Sequence, residues 1–179
     1  MDEILFNNKK FVTYITNGKI KNFINELSID LNKNYKNKKI LFIGILNGCG
    51  PFMEDLIKEL DFDYAVDFIK LSSYIGQERG EIVFEKKNKI TNYELYDDII
   101  IIEDIIDSGS TILFLNEYFK NVISKIKIIS LLVKNKTDKL CNWYGFKIEN
   151  KFVIGYGMDI NNLFRELKDI YIEKDEEKE

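Results

Sequence analysis

The run Ile99-Ile100-Ile101-Ile102 constrains this chain more than any other stretch. Consecutive β-branched apolar residues are comfortable only when buried on both faces, the environment of a central strand in a parallel sheet. Glu103 and Asp104 follow at once, then Ile105 and Ile106, then Asp107 and the small-residue loop Ser108-Gly109-Ser110-Thr111. Beyond the loop, a helix is expected over 112–121. This order places acidic side chains and a hydroxyl-rich turn at the carboxyl end of a buried strand, where open α/β sheets bind ligands. The turn also feeds a helix N-terminus, whose free N–H groups attract anions. Hydroxyls and amides suit a phosphate, and neighbouring carboxylates suit ribose hydroxyls or a divalent metal. The segment reads as a site for a phosphorylated sugar.

The remaining chain alternates in the same way. Apolar residues at Ile20, Phe23, Ile24, Leu27 and Leu31 form a helical stripe, predicting a helix over 20–31. Strands are expected over 40–46, 64–71, 99–102, 127–133 and 152–156, with a second helix over 53–60. Alternation of strand and helix argues for an α/β fold with a parallel β-sheet flanked by helices. With 179 residues, 45% of them hydrophobic, the chain suits one domain with a substantial core. The polar run 32–39 reads as a solvated connection, and the charged end 173–179 as a disordered tail. No apolar run approaches a membrane span, so no membrane partner is expected. A net charge of −4 gives no reason to expect nucleic acid. Two cysteines, Cys49 and Cys141, fit a reducing cytoplasm, which is the expected location. The chain has no histidine, so proton transfer must use a carboxylate, Lys, Tyr or Cys.

Other segments carry weaker signals. The first strand ends in Asn47-Gly48-Cys49-Gly50-Pro51, which reads as a tight turn or as backbone N–H groups offered to an anion. It lacks the Gly-Lys-Ser/Thr of a Walker A loop. Lys70 to Ile82 is a polar hairpin loop. Lys134, after the apolar run 128–133, reads by default as a solvated strand end. Phe152 reads as core, Asp159 as a turn residue and Arg165 as a surface residue.

From Ile101 to Thr111 the chain resembles the purine phosphoribosyltransferases, specifically the hypoxanthine-guanine type. The resemblance covers the stretch from Ile4 to about Leu167, in four blocks in the family's order. It implies the type I phosphoribosyltransferase fold with a small hood built from roughly 1–15 and 141–172. It also implies a mobile lid over roughly 72–88 that opens with Ser73 and Tyr74. The implied reaction joins a 6-oxopurine to 5-phosphoribosyl diphosphate, giving IMP or GMP and pyrophosphate in purine salvage.

Roles follow from the same resemblance. Glu103, Asp104, Ile106, Asp107, Ser108, Gly109, Ser110 and Thr111 hold the ribose and 5′-phosphate. Leu46, Asn47, Gly48 and Arg165 hold pyrophosphate, with Asn47 standing where the family usually has a basic residue. Lys134 donates to the purine O6, Phe152 stacks on the ring, the Val153 backbone reads its edge, and Asp159 lies close by. Mg²⁺ is the implied cofactor, with Glu103, Asp104 and Asp159 near it. Asp107 is the candidate general base or acid at purine N7; alternatively it only caps the following helix. The partners are the two substrates and a second copy in a homodimer or homotetramer. Two alternatives stay open: a preference for xanthine, and a non-catalytic nucleotide-binding regulator on the same fold.

Overall fold

The computed structural model describes residues 3–74, 81–87, 89–134 and 136–174. In chain order the elements are β1 (Glu3–Phe6), β2 (Lys9–Ile15), α1 (Asn17–Tyr35), β3 (Ile40–Leu46), α2 (Gly50–Ile57), β4 (Tyr64–Tyr74), β5 (Glu81–Lys86), β6 (Asp98–Ile106), α3 (Ser110–Tyr118), β7 (Ile126–Lys134), β8 (Trp143–Ile148), β9 (Val153–Ile154) and β10 (Ile170–Glu173). Short 3₁₀ turns lie at Tyr93–Leu95, Lys120–Lys125 and Thr137–Leu140. A six-stranded sheet has the order β5-β4-β3-β6-β7-β8, and a four-stranded sheet the order β1-β2-β10-β9. β4, β3, β6, β7 and β8 run parallel, while β5 pairs antiparallel with β4. The expected α/β architecture holds, with a mixed sheet in place of a purely parallel one.

The isoleucine run lies at the centre of that sheet: Ile99, Ile100, Ile101 and Ile102 are all 0% exposed. Ile100 and Ile102 join one core cluster, Ile99 and Ile101 another. That split follows from side chains alternating between the two faces of a strand. The ladder to β7 continues past Ile102, pairing Glu103 with Ser130, Ile105 with Leu132 and Ile106 with Val133. The strand is therefore longer than the 99–102 expectation, and both acids lie within it.

Other boundaries move for identifiable reasons. α1 extends past Leu31 because its stripe continues to buried Tyr35, which packs on Phe62 at 5.8 Å between ring centroids. Asn32, read as part of a solvated connection, instead donates to the Glu59 carbonyl and accepts from Asp61 N. α2 starts at Gly50 rather than 53, since Pro51 in the first turn is pre-set for helical φ. α3 starts at Ser110 rather than 112, directly after Gly109 at φ +83°.

β8 was not foreseen. Trp143–Ile148 pairs parallel with β7, so this part of the stretch 141–172 belongs to the large sheet and not to the hood. The smaller sheet takes β1, β2, β9 and β10, around buried Phe11, Ile154 and Tyr171. The strand expected over 152–156 shrinks to Val153–Ile154, because Gly155, Tyr156 and Gly157 all take positive φ and turn the chain. Of the expected lid, residues 75–80 and 88 lie outside the described residues, as do the side chains of Ser73 and Tyr74. So does 175–179 of the expected tail.

Candidate active site

The carboxyl ends of β3, β6 and β7 open toward the smaller sheet, and two cavities share a wall along the end of β6. The first, about 80 Å³, is lined by one contiguous segment: Glu103, Ile105, Ile106, Asp107, Ser108, Gly109, Thr111 and Ile112. Its floor is the start of α3, whose first N–H groups have no partner within the helix. Ser110 N donates to Ser108 Oγ at 3.3 Å, and the two hydroxyls lie 2.9 Å apart. Gly109 holds a left-handed conformation, and a Cβ there would also run into the Leu140 side chain. Backbone amides, hydroxyls and a helix N-terminus thus converge on a space the size of a phosphate.

The second cavity, about 200 Å³, is lined by Asp104, Ile105, Asp107, Lys134, Phe152, Val153, Met158 and Asp159. Lys134, the last residue of β7, is 7% exposed, and its Nζ meets Asp107 Oδ2 at 3.0 Å. The default reading of Lys134 as a solvated strand end is therefore wrong. Phe152, read by default as core, is 45% exposed and presents its ring to the cavity. Phe11 supports that ring from behind in an edge contact at 6.5 Å. β9 is the edge strand of its sheet, and Glu173 N donates to the Phe152 carbonyl. Strand alternation then turns the N–H and C=O of Val153 away from β10 and toward the cavity.

Glu103 and Asp104 sit between the cavities. Burial, then the charge of Asp104, pushes the Glu103 carboxyl well above the ordinary carboxylate range. Burial also raises Asp104; hydrogen bonds from the Glu103 carboxyl and the Ile105 N–H and the Arg165 charge pull it back. Glu103 Oε2 is buried with no hydrogen-bond partner among the described residues. Two adjacent acids, Glu103 buried with an orphaned oxygen and Asp104 half-buried, have the oxygen chemistry that suits a hard divalent cation.

Asp159 does not complete an acidic trio with them. Its carboxylate pairs with Arg165 and accepts from Asn162 N at 2.7 Å. Among the described residues no three acidic, histidine or cysteine side chains converge on one metal position.

The turn after β3 closes the far side. Gly48 lies so near Asp104 that a Cβ would overlap its carboxylate, and a Cβ on Gly157 would overlap the Gly48 carbonyl. The Leu46–Asn47 peptide is cis, and Asn47 is exposed. Arg165 donates to the Gly157 carbonyl at 2.6 Å and holds Asp159, so much of its guanidinium is committed within the protein. Leu46 to Gly48, Asp104 and Arg165 nevertheless meet at one place, although 117 positions separate Gly48 from Arg165 (165 − 48). Cys49 is buried beneath this turn, and burial with the nearby acids raises its thiol, which makes it a poor nucleophile.

Residues 13–161 match the sequence profile of the phosphoribosyl transferase domain. The chain belongs to the phosphoribosyltransferase family. Among similar phosphoribosyltransferases, the hypoxanthine-guanine phosphoribosyltransferase of Staphylococcus aureus (strain Mu50 / ATCC 700699) is 36% identical over 161 residues, covering 86% of this chain and 88% of that protein. That of Bacillus subtilis (strain 168) is 40% identical over 159 residues, covering 86% and 87%. A crystal structure of a hypoxanthine phosphoribosyltransferase from Staphylococcus aureus superposes with a TM-score of 0.81 at 34% identity, covering 91% of each chain. In this chain the smaller cavity lies along the end of β6 and the loop after it, and the larger where the ends of β6 and β7 face the stretch 152–159.

Sequence reasoning missed Met158, Thr137 and Leu140. Met158 lay in a noted block without a distinguishing feature. Thr137 and Leu140 sit in a polar stretch with no periodicity, and only their contacts reveal them.

Proposed function

We propose that this phosphoribosyltransferase transfers the 5-phosphoribosyl group of 5-phosphoribosyl diphosphate to hypoxanthine or guanine, forming IMP or GMP and pyrophosphate in purine salvage. The observation that carries this reading is the Lys134–Asp107 pair on the wall of the larger cavity. A 6-oxopurine presents O6 as an acceptor beside N7–H as a donor. Lys134 offers a donor and Asp107 an acceptor, 3.0 Å apart. An ammonium has three protons and no lone pair, so it can hold Asp107 and still donate to O6. Adenine would place an amino donor against that ammonium and be refused, and sites built around such hydrogen bonds discriminate strongly.

The neighbouring groups fit the remaining substrate. The smaller cavity takes the 5′-phosphate on the Ser108–Thr111 loop and the α3 N-terminus. Phe152 stacks on the purine, and the Val153 backbone meets its far edge. Asp107 takes the N7 proton as N9 bonds to the ribose carbon and pyrophosphate leaves. Asp159, held by Arg165, lies beside the base, and the turn Leu46–Gly48 receives the pyrophosphate. Glu103 and Asp104 would hold Mg²⁺, which when bound neutralises negative charge on the diphosphate. The reading places the enzyme in the cytoplasm, as a homodimer or homotetramer. No helix among the described residues is long and apolar enough to cross a membrane.

The test is a panel of hypoxanthine, guanine, xanthine and adenine assayed with 5-phosphoribosyl diphosphate, with and without Mg²⁺. IMP and GMP formation that stops on chelation is the expected result. No nucleotide from any base would leave the regulator reading in its place.

A further inference from the structure

We infer that Thr137 is a positioning residue that sets the spacing of the Lys134–Asp107 pair. The inference rests on the function proposed for that pair. The regular ladder between β6 and β7 ends where Ile106 faces Val133. Asp107 follows the end of β6, and Lys134, the last residue of β7, pairs with Ile148 on β8, so no rung of the β6–β7 ladder ties the two side chains that must face one purine edge. The Thr137 hydroxyl lies 2.9 Å from the Ile106 carbonyl and 2.7 Å from the Lys134 carbonyl. A hydroxyl bonding back to the carbonyl three residues earlier is common and local. Reaching the Ile106 carbonyl, 31 residues away, is not local. The single hydroxyl proton is shared between the carbonyl just before Asp107 and the carbonyl of Lys134 itself, so one side chain bridges the two strand ends.

The turn that carries Thr137 is itself anchored. Asp138 pairs with Lys147 on β8 at 3.1 Å, and the Cys141 thiol contacts the Asp138 carbonyl. Thr137 is therefore fixed to the sheet. The hydrogen bonds of its hydroxyl run to the Ile106 and Lys134 carbonyls and not to the Ser108–Thr111 loop, although Leu140, at the end of the same turn, lies beside Gly109. Removing this hydroxyl alone should disturb base recognition and proton transfer more than it disturbs the phosphate handle.

Thr137→Val keeps the shape and removes the hydroxyl, and Thr137→Ser keeps the hydroxyl. Kinetics with hypoxanthine are measured alongside calorimetric affinities for IMP and for 5-phosphoribosyl diphosphate. Thr137→Val is expected to lose ~10- to 100-fold in kcat/KM for hypoxanthine, the scale of a small misplacement of reacting groups. IMP affinity should fall with it, while 5-phosphoribosyl diphosphate affinity stays within about twofold and Thr137→Ser restores turnover. Unchanged turnover in Thr137→Val overturns the inference, as does Thr137→Ser failing alongside it. An equal loss of 5-phosphoribosyl diphosphate affinity also overturns it, because that is the signature of general structural damage. Should the Val variant not fold, Thr137→Ala removes the hydroxyl without placing a methyl beside the two carbonyls and carries the same comparison. A wild-type protein that binds IMP but makes none defeats the proposed function instead, and the IMP affinities of the variants still decide the role of Thr137.

Discussion

The two cavities along β6 are built in opposite ways. The smaller is walled by one continuous segment, Glu103 to Ile112. Its shape comes from local features: a left-handed Gly109, a hydroxyl pair at Ser108 and Ser110, and a helix start. The larger draws on the end of β6, the end of β7 and the turn-rich stretch 152–159. Its shape depends on contacts between segments far apart in the chain: Lys134 on Asp107, Phe152 on Phe11, β9 on β10. A phosphate handle common to many substrates can be made locally and survives change elsewhere. Recognition of one base needs donors, acceptors and a ring face aimed from several directions, which only an assembled pocket supplies. Asp107 lines both cavities, which on the proposed function is where the base and the sugar are joined.

The largest effect should come from breaking that shared residue. Asp107→Asn keeps size and hydrogen bonding but cannot take a proton, so kcat should fall by roughly 10²–10⁴. Affinity for 5-phosphoribosyl diphosphate, measured by calorimetry, should barely change. Near-wild-type kcat would reduce Asp107 to a partner that holds Lys134 in place; the helix-cap reading is already excluded, since α3 starts at Gly109 with no side-chain cap bond.

Next is a change confined to the assembled cavity. Lys134→Gln removes a charge-assisted hydrogen bond of about 1.5–3 kcal/mol, so kcat/KM for hypoxanthine should drop about ten- to hundredfold. The ratio of hypoxanthine to adenine use should narrow, since a Gln carbonyl can accept from an amino group. A ratio that stays at the wild-type value would remove Lys134 from base choice.

A smaller effect is expected from the contiguous cavity. At φ +83° any side chain is strained, and a methyl at Gly109 must also displace Leu140. The left-handed cost of about 1–2 kcal/mol corresponds to a melting temperature lower by roughly 2–8 °C in a chain of this size. Weaker 5-phosphoribosyl diphosphate binding should accompany it, with purine discrimination intact. Discrimination lost in Gly109→Ala would mean the two cavities are not separable.

The smallest effect concerns alkaline stability at Cys141, beside the turn that supports the assembled cavity. Burial first, then the charge of Asp138, pushes its thiol up to about 11. The folded chain holds this proton more tightly than the unfolded chain, whose thiol titrates near ~8.5. Stability from this group is therefore complete below about pH 8.5 and is lost as pH rises toward 11. Melting temperatures measured across that window should fall more steeply in wild type than in Cys141→Ser. Parallel curves would show that the thiol is solvated.

The contrast between the cavities also decides what could be read without coordinates. The strand, acids, loop and helix from Ile99 to Phe119 were legible because each signal is local: β-branched burial, small residues at a turn, apolar periodicity after it. The extension of β6 through Glu103 and Asp104 was not, because carboxylates oppose burial and only pairing with β7 overrides that preference. β8 was missed for a related reason. Trp143–Ile148 lies at the sheet edge with mixed exposure, so it shows no clean period.

By itself, then, the sequence determined that a buried strand delivers acids and a phosphate-shaped loop to a helix start, since those preferences act between neighbours. It also determined that proton transfer proceeds without histidine. Only the tertiary structure decided that Lys134 turns inward onto Asp107, that Asp159 is taken by Arg165 rather than joining Glu103 and Asp104, and that Thr137 spans two strand ends. Those choices depend on which charges and carbonyls come within about 3 Å after the sheets pack, the range over which hydrogen bonds act. No local preference encodes the Lys134–Asp107 distance, across 27 residues, or the Thr137–Ile106 distance, across 31.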